Sequence, residues 1–255
     1  MLLVFLFGLG TVIGSFLNVC IYRIPRQKSI VFPASHCPQC QRKLGFLDLF
    51  PILSFIFQRG KCRYCGGKIS GRYPLVEFLS GLSFVTVAFA FPPEINPIGF
   101  VFSLMFILLL LMISFIDFEF QLIPDALSIT GIVFGLVFHL FTGDFFNALI
   151  GLALGFGLLF LVGKLGKICF KKEALGEGDL YLAAFIGAYL GWSGLLAALF
   201  LSYLLAGAAA VFLLATGKVK MSSYVPFGPA LAAGGIIVLF FGERIISWYL
   251  GISGL

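Results

Sequence analysis

Long apolar runs alternate with short polar breaks along the whole chain. The runs cover about 1–22, 74–91, 98–116, 123–141, 146–163, 180–191, 194–215 and 226–248. A bilayer's hydrocarbon core needs roughly 20 apolar residues of α-helix to cross it. The pattern therefore predicts an all-α polytopic membrane protein of about eight transmembrane helices, the 180–191 run being short. Only one polar stretch is long enough to fold by itself. This gives a first transmembrane helix over 1–22, a small soluble domain over 23–73 and a seven-helix membrane domain over 74–255. The first run has no basic segment before it and no small-residue cleavage site, so it is expected to stay in the membrane rather than be removed as a signal peptide.

Composition supports this division. Hydrophobic residues make up 60% of the 255 positions and charged residues only 11%, with mean hydropathy +1.10; soluble domains carry about 25% charged residues. Thirty-two phenylalanines and thirty-one glycines suit lipid-facing helices that pack closely through small residues. A net charge of +6 would suggest nucleic acid in a soluble chain, but here topology accounts for it and no nucleic-acid partner is expected. Ten of the seventeen basic residues lie between Arg23 and Arg72, four are Lys164, Lys167, Lys171 and Lys172, two are Lys218 and Lys220, and Arg244 stands alone. With eight helices, all but Arg244 fall on one face. Cytoplasmic loops are the basic ones, so that face is the cytoplasm and both termini lie outside. Asp117, Glu119, Asp125 and Asp179 then gather on the cytoplasmic side.

The polar stretch contains "HCPQC" and "GKCRYCGGKI". Cys37-x2-Cys40 and Cys62-x2-Cys65, about twenty residues apart, have the spacing of a tetrahedral four-thiolate zinc site. The cytosol keeps thiols reduced, which favours metal over disulfides. A loop this small gains its fold from such a staple, and four thiolates leave no open coordination position, so the zinc is structural. His36 beside Cys37 reads as a loop histidine. Cys20 and Cys169 read as small hydrophobes, and His139 as a satisfied interior histidine.

Two acidic stretches remain, "SFIDFEFQLIPD" (Ser114–Asp125) and "GEGD" (Gly176–Asp179). Asp125 follows Pro124 at a helix start, where a carboxylate is favoured by orphan N–H groups and the helix dipole. Glu119 reads as solvated. Asp117 closes an apolar helix and Asp179 opens another, and charges inside a bilayer are costly enough to suggest function. Two carboxylates in contact split their pKa values, so the ionised one can activate water while the protonated one donates to a carbonyl. That is aspartic-protease chemistry without a nucleophilic side chain. The alternative is that both aspartates merely anchor helix ends.

Several stretches together resemble one family, the type IV prepilin peptidases. "GSFLNVCIYRIP" (Gly14–Pro25) is similar to the family's N-terminal signature. The double CxxC with "RGKC" and "RYPLVE" is similar to its cytoplasmic domain. "IDFEFQLIPD" and "GEGD" match its two aspartate motifs, and "PFGPAL" (Pro226–Leu231) the start of its last helix. The resemblance runs in order along nearly the whole chain. It implies an aspartic endopeptidase of the bacterial inner membrane with Asp117 and Asp179 catalytic and Asp125 the fallback. Its substrates would be prepilins or pseudopilins, cut after a glycine on the cytoplasmic side. It further implies N-methylation of the new N-terminal residue by S-adenosylmethionine, with Gly60, Lys61, Arg72, Glu77 and Asn18 as candidate cofactor residues, and Gly14 and Arg23 near them. One departure stands out: the family commonly has lysine two residues after the second aspartate, whereas this chain has Tyr181. The rival readings are a peptidase without methyl transfer, a non-enzymatic scaffold, and an intramembrane protease of the signal-peptide-peptidase kind, in which the cysteine loop has no place.

Overall fold

A computed structural model describes residues 1–170, 176–217 and 226–253. Lys171, Lys172, Lys218 and Lys220, which contribute to the orientation argument, lie outside the described residues, as does the side chain of Cys169. The helices are α1 (Leu2–Arg23), α2 (Leu53–Phe57), α3 (Arg72–Ala90), α4 (Pro97–Phe120), α5 (Asp125–Thr142), α6 (Phe145–Phe170), α7 (Glu177–Ala215) and α8 (Gly228–Ser253). All but α2 are long and apolar enough to cross a membrane.

One of those seven, α7, is a hairpin. Its 39 residues break at Gly191 (φ 73°, ψ 179°), a conformation that favours glycine. Ile186 and Ser202 would stand roughly 24 Å apart on a continuous helix, yet they pack against the adjacent glycines Gly235 and Gly234 of α8. The chain therefore folds back on itself, giving α7a (177–190) and α7b (192–215). Breaking a helix orphans backbone groups, and the neighbouring helices supply partners. His139 Nε2 donates to the Tyr189 carbonyl at 2.9 Å, and Asn147 Oδ1 accepts the Trp192 N–H at 3.1 Å. His139 is thus a satisfied interior histidine.

The chain divides into two compact units, Met1–Leu104 and Met105–Leu255, with the boundary inside α4. In the first, α1 and α3 run antiparallel in close register. Gly10 faces Gly81, Gly14 faces Glu77, and Asn18 faces Tyr73. A Cβ on Gly14 would lie 2.7 Å from the Glu77 Cα, so glycine is what lets the helices meet. Between them lies the cysteine loop, which has the short α2, two 3-10 turns and only isolated bridges, His36 with Lys43 and Lys61 with Lys68.

In the second unit α7a is gripped by small residues. Gly131 and Gly135 of α5 meet Phe185 and Ala188, while Gly151 and Gly155 of α6 meet the Gly187 and Ala183 carbonyls. Backbones this close gain dispersion contacts in a medium that offers no hydrophobic drive between helices. Phe106 of α4 stacks on Tyr189 at 4.3 Å and meets Phe185 edge-on at 5.2 Å. The helix that carries Asp179 is therefore fixed on several sides.

Candidate active site and metal centre

Asp117 lies in the last turn of α4 and is 3% exposed. Its Oδ2 accepts the Gly228 N–H at the start of α8, at 3.0 Å. A Cβ on residue 228 would sit 2.6 Å from that oxygen, so glycine is needed for the approach. Asp179, the third residue of α7, is also 3% exposed. Its Oδ2 accepts the Gly176 N–H at 3.1 Å, while its own N–H donates to the Gly176 carbonyl at 3.1 Å. Each carboxylate thus meets a helix N-terminus, whose orphan N–H groups favour negative charge.

The second oxygen of Asp179 differs. Oδ1 is buried and has no hydrogen-bond partner among the described residues. A buried acceptor left in that state is rare, because the desolvation cost is uncompensated. Ile123 joins the two acids: Gly178 packs on it from one helix and Gly228 from another. That shared neighbour is the link between the two carboxylates. Tyr203 of α7b stacks on Phe227 at 5.2 Å, next to Gly228.

The site is recessed. Asp179 and Tyr203 each stand twelve residues, or roughly 18 Å of helix, from Gly191. From Tyr203, α7b continues to Ala215 as an apolar helix with exposed Val211 and Phe212. That extension places the acids well below the end of α7b. Asp125 and Glu119, in contrast, are exposed. Tyr181 rests edge-on against Phe156 at 5.8 Å.

In the first unit the Sγ atoms of Cys37, Cys40, Cys62 and Cys65 lie within 4.8 Å of one another. The Cys37–Cys65 separation is 3.9 Å. Four thiolates about 2.3 Å from a zinc ion require S···S spacings of about 3.8 Å, so the cluster fits a tetrahedral metal. Backbone N–H groups of Cys65 and Tyr64 hold the Cys62 thiol down to about 7. Against the pull of the Gly67 N–H, desolvation and the three neighbouring thiols push Cys65 up to about 11, so the clustered sulfurs share their protons. His36 is not in the cluster; its ring nitrogen lies 3.0 Å from the Ala34 carbonyl.

The candidate cofactor residues fall in two places. Gly60 (φ 67°) and Lys61 immediately precede Cys62 at the second knuckle. Asn18 and Glu77 lie in the α1–α3 seam, while Arg72 opens α3 with its guanidinium over the Tyr73 ring at 4.8 Å. Asn18 Nδ2 donates to the Tyr73 carbonyl at 3.0 Å, leaving its buried Oδ1 without a partner among the described residues. Glu77 is 8% exposed and its Oε2 accepts the Ile52 N–H at 2.7 Å. Arg23 is spoken for: its guanidinium donates to the Ser29 and Pro33 carbonyls at 2.9 and 2.6 Å.

Three contributors were not legible in the chain. Gly228 lies in the quoted "PFGPAL" stretch, but nothing there signals that its N–H meets Asp117. Tyr203 has only its hydroxyl in an apolar helix to mark it, and Ile123 has no signal at all.

A multi-pass membrane protein with a four-cysteine centre and two buried aspartates at helix ends is the class these features define. Family models match in the same order, a "Bacterial Peptidase A24 N-terminal domain" over residues 8–91 and a "Type IV leader peptidase family" domain over residues 104–212. A protein of Aeromonas hydrophila named prepilin leader peptidase/N-methyltransferase is 36% identical, covering 97% of this chain and 93% of its own. The Bacillus subtilis (strain 168) protein of the same name is 37% identical over 96% of each chain. The Myxococcus xanthus (strain DK1622) protein, also of that name, is 42% identical over 84% of this chain and 64% of its own. No solved structure matches at a significant level. The chain belongs to the type IV leader peptidase family.

Proposed function

We propose that this protein is a prepilin or pseudopilin leader peptidase and N-methyltransferase of the bacterial inner membrane, cleaving after a glycine on the cytoplasmic side. The relatives' shared name supports the two activities. The observation that carries the aspartic mechanism is the unpartnered, buried Oδ1 of Asp179, with Asp117 joined to the same place through Gly228 and Ile123. One carboxylate, ionised, takes a proton from water, whose oxygen attacks the scissile carbonyl. The other, protonated, donates its proton to the carbonyl oxygen. The tetrahedral adduct then collapses: the leaving amine receives the proton first taken from water, and the proton lent to the carbonyl oxygen returns to the second carboxylate. The Gly228 and Gly176 N–H groups orient the acids and need not move.

Zinc held by Cys37, Cys40, Cys62 and Cys65 would knit the cysteine loop together. S-adenosylmethionine, when bound, supplies the methyl group for the new α-amine. Gly60, Lys61, Arg72, Glu77 and Asn18 remain its candidate contacts, and the idle Oδ1 of Asn18 suits an N–H donor. Purified protein incubated with a prepilin tests the reading. Asp117→Asn and Asp179→Asn should each abolish leader removal; cleavage at the wild-type rate by either would end it. Cys62→Ser should lower zinc from about one per chain toward none, as read by elemental analysis, and undiminished zinc would remove the metal assignment.

A further inference from the structure

The segment between the two knuckles is unlike the rest of the cysteine loop. From Leu49 to Gln58, "LFPILSFIFQ", there is no charged residue. Phe46, Leu47, Phe50, Leu53, Ile56 and Phe57 are all exposed, Phe46 by 79% and Phe57 by 80%. Contiguous exposed apolar surface on this scale marks an interaction site. The question is what covers it.

The α1–α3 seam works as a depth gauge. Ile52 is pinned by its N–H to Glu77 Oε2, and Glu77 packs against Gly14. Gly14 lies nine residues, roughly 13 Å, inside the Arg23 end of α1, and Glu77 five residues, roughly 7 Å, inside the Arg72 end of α3. Both helices cross the membrane, so by either gauge Ile52 sits below the level at which the helices leave it. The polar groups of the segment lie at its base. Asp48 accepts the Gly45 N–H at 3.0 Å, the Gln58 side-chain N–H at 3.1 Å and the Tyr64 hydroxyl at 3.1 Å, closing the loop across its neck.

Backbone inside hydrocarbon must find partners for its donors, and several donors at the tip of this segment have them. Pro51 has no donor. Ile52, at φ 60°, donates to Glu77; Ser54 donates to Phe50, Ile56 to Ile52 and Gln58 to Ser54. Arg42 and Lys43 flank the segment on one side and Arg59 and Arg63 on the other, a basic collar suited to anionic headgroups. Arg63 also helps line an open groove of about 510 Å³ between Phe50, Leu53 and Phe57.

We propose that residues 46–57 form a re-entrant lipid anchor, with the tip at Ile52 seated among the acyl chains of the leaflet beside the cysteine domain. Glu77 is its peg: one oxygen of a buried carboxylate, Oε2, holds the inserted loop. The proposal rests only on α1 and α3 crossing the bilayer, not on the catalytic reading. Wild-type protein in phosphatidylcholine/phosphatidylglycerol vesicles is irradiated with an acyl-soluble diazirine and digested with trypsin. The peptide Leu44–Arg59 should carry label within about threefold, per residue, of the α1 peptide Met1–Arg23. If Met1–Arg23 labels and Leu44–Arg59 carries less than about one-tenth as much, the segment is covered by protein or water and the proposal is overturned. Failure of Met1–Arg23 to label would instead overturn the membrane placement on which the gauge depends. In a Trp192→Phe/Trp248→Phe background, Phe57→Trp fluorescence should be quenched by brominated lipids and spared by aqueous iodide. The reverse pattern contradicts the anchor.

Discussion

Each unit buries carboxylates in or beside a membrane helix, but the two treat them in opposite ways. In the first unit Glu77 gives one oxygen to structure: Oε2 takes the N–H of a loop residue in a left-handed conformation and fixes that loop against the α1–α3 seam. In the second, Asp117 and Asp179 each spend one oxygen on a backbone N–H, and Asp179 keeps the other buried and idle. Burial of a charge therefore does not by itself mark chemistry. What distinguishes the two is whether the oxygens left over have anything to do.

The contrast breaks most visibly at Asp179. Replacing it with asparagine should lower leader cleavage at least about 100-fold, the usual scale for losing a general acid or base. Methylation of a pre-cleaved pilin should stay near wild type. Loss of both reactions together would mean that the substitution unfolds the protein, and the separation of roles would fail. Gly228→Ala should act through geometry alone. The added methyl meets Asp117 Oδ2, so cleavage kcat should fall on the order of tenfold, with KM for prepilin little changed.

These expectations rest on features of unequal visibility in the chain. The helices were legible because hydrocarbon thickness sets the length of an apolar run, and the cysteine centre because CxxC spacing is local. Even the short 180–191 run was legible as a separate helical segment, although the structure joins it to the next through a single residue, Gly191. The meeting of Asp117 with the Gly228 N–H was not, since 111 residues separate them and no local pattern encodes a contact between two helix ends. Glu77 was named only as a candidate cofactor residue through the family resemblance, and nothing in the chain marks it as a peg, because its partner is a backbone amide that any residue supplies. Tyr203 meets Phe227, beside Gly228, only because α7 doubles back.

Glu77 sharpens the comparison from the other side. Glu77→Ala leaves the Ile52 N–H unpaired and should cost about 1–3 kcal/mol of stability, measured by thermal unfolding in a fixed detergent. Glu77→Gln, which keeps an acceptor, should recover most of it. A Glu77→Ala protein as stable as wild type would show that the peg carries no weight. The smallest effect is expected at Asp125, an exposed acid in the first turn of α5. Asp125→Asn should change cleavage by no more than about twofold, since a first-turn carboxylate contributes only a few tenths of a kcal/mol to about 1 kcal/mol. A large loss there would move the first catalytic acid away from Asp117.

The central claim is that Asp117 and Asp179 act on one water as a unit, and residues that act as a unit are strongly non-additive. Cleavage rates of Asp117→Asn, Asp179→Asn and the double variant, measured side by side on one prepilin, test this most directly. The account predicts that the double variant is no slower than either single one, all three lying at the same residual rate. Single variants that each retain substantial activity, with losses that multiply in the double, would contradict it.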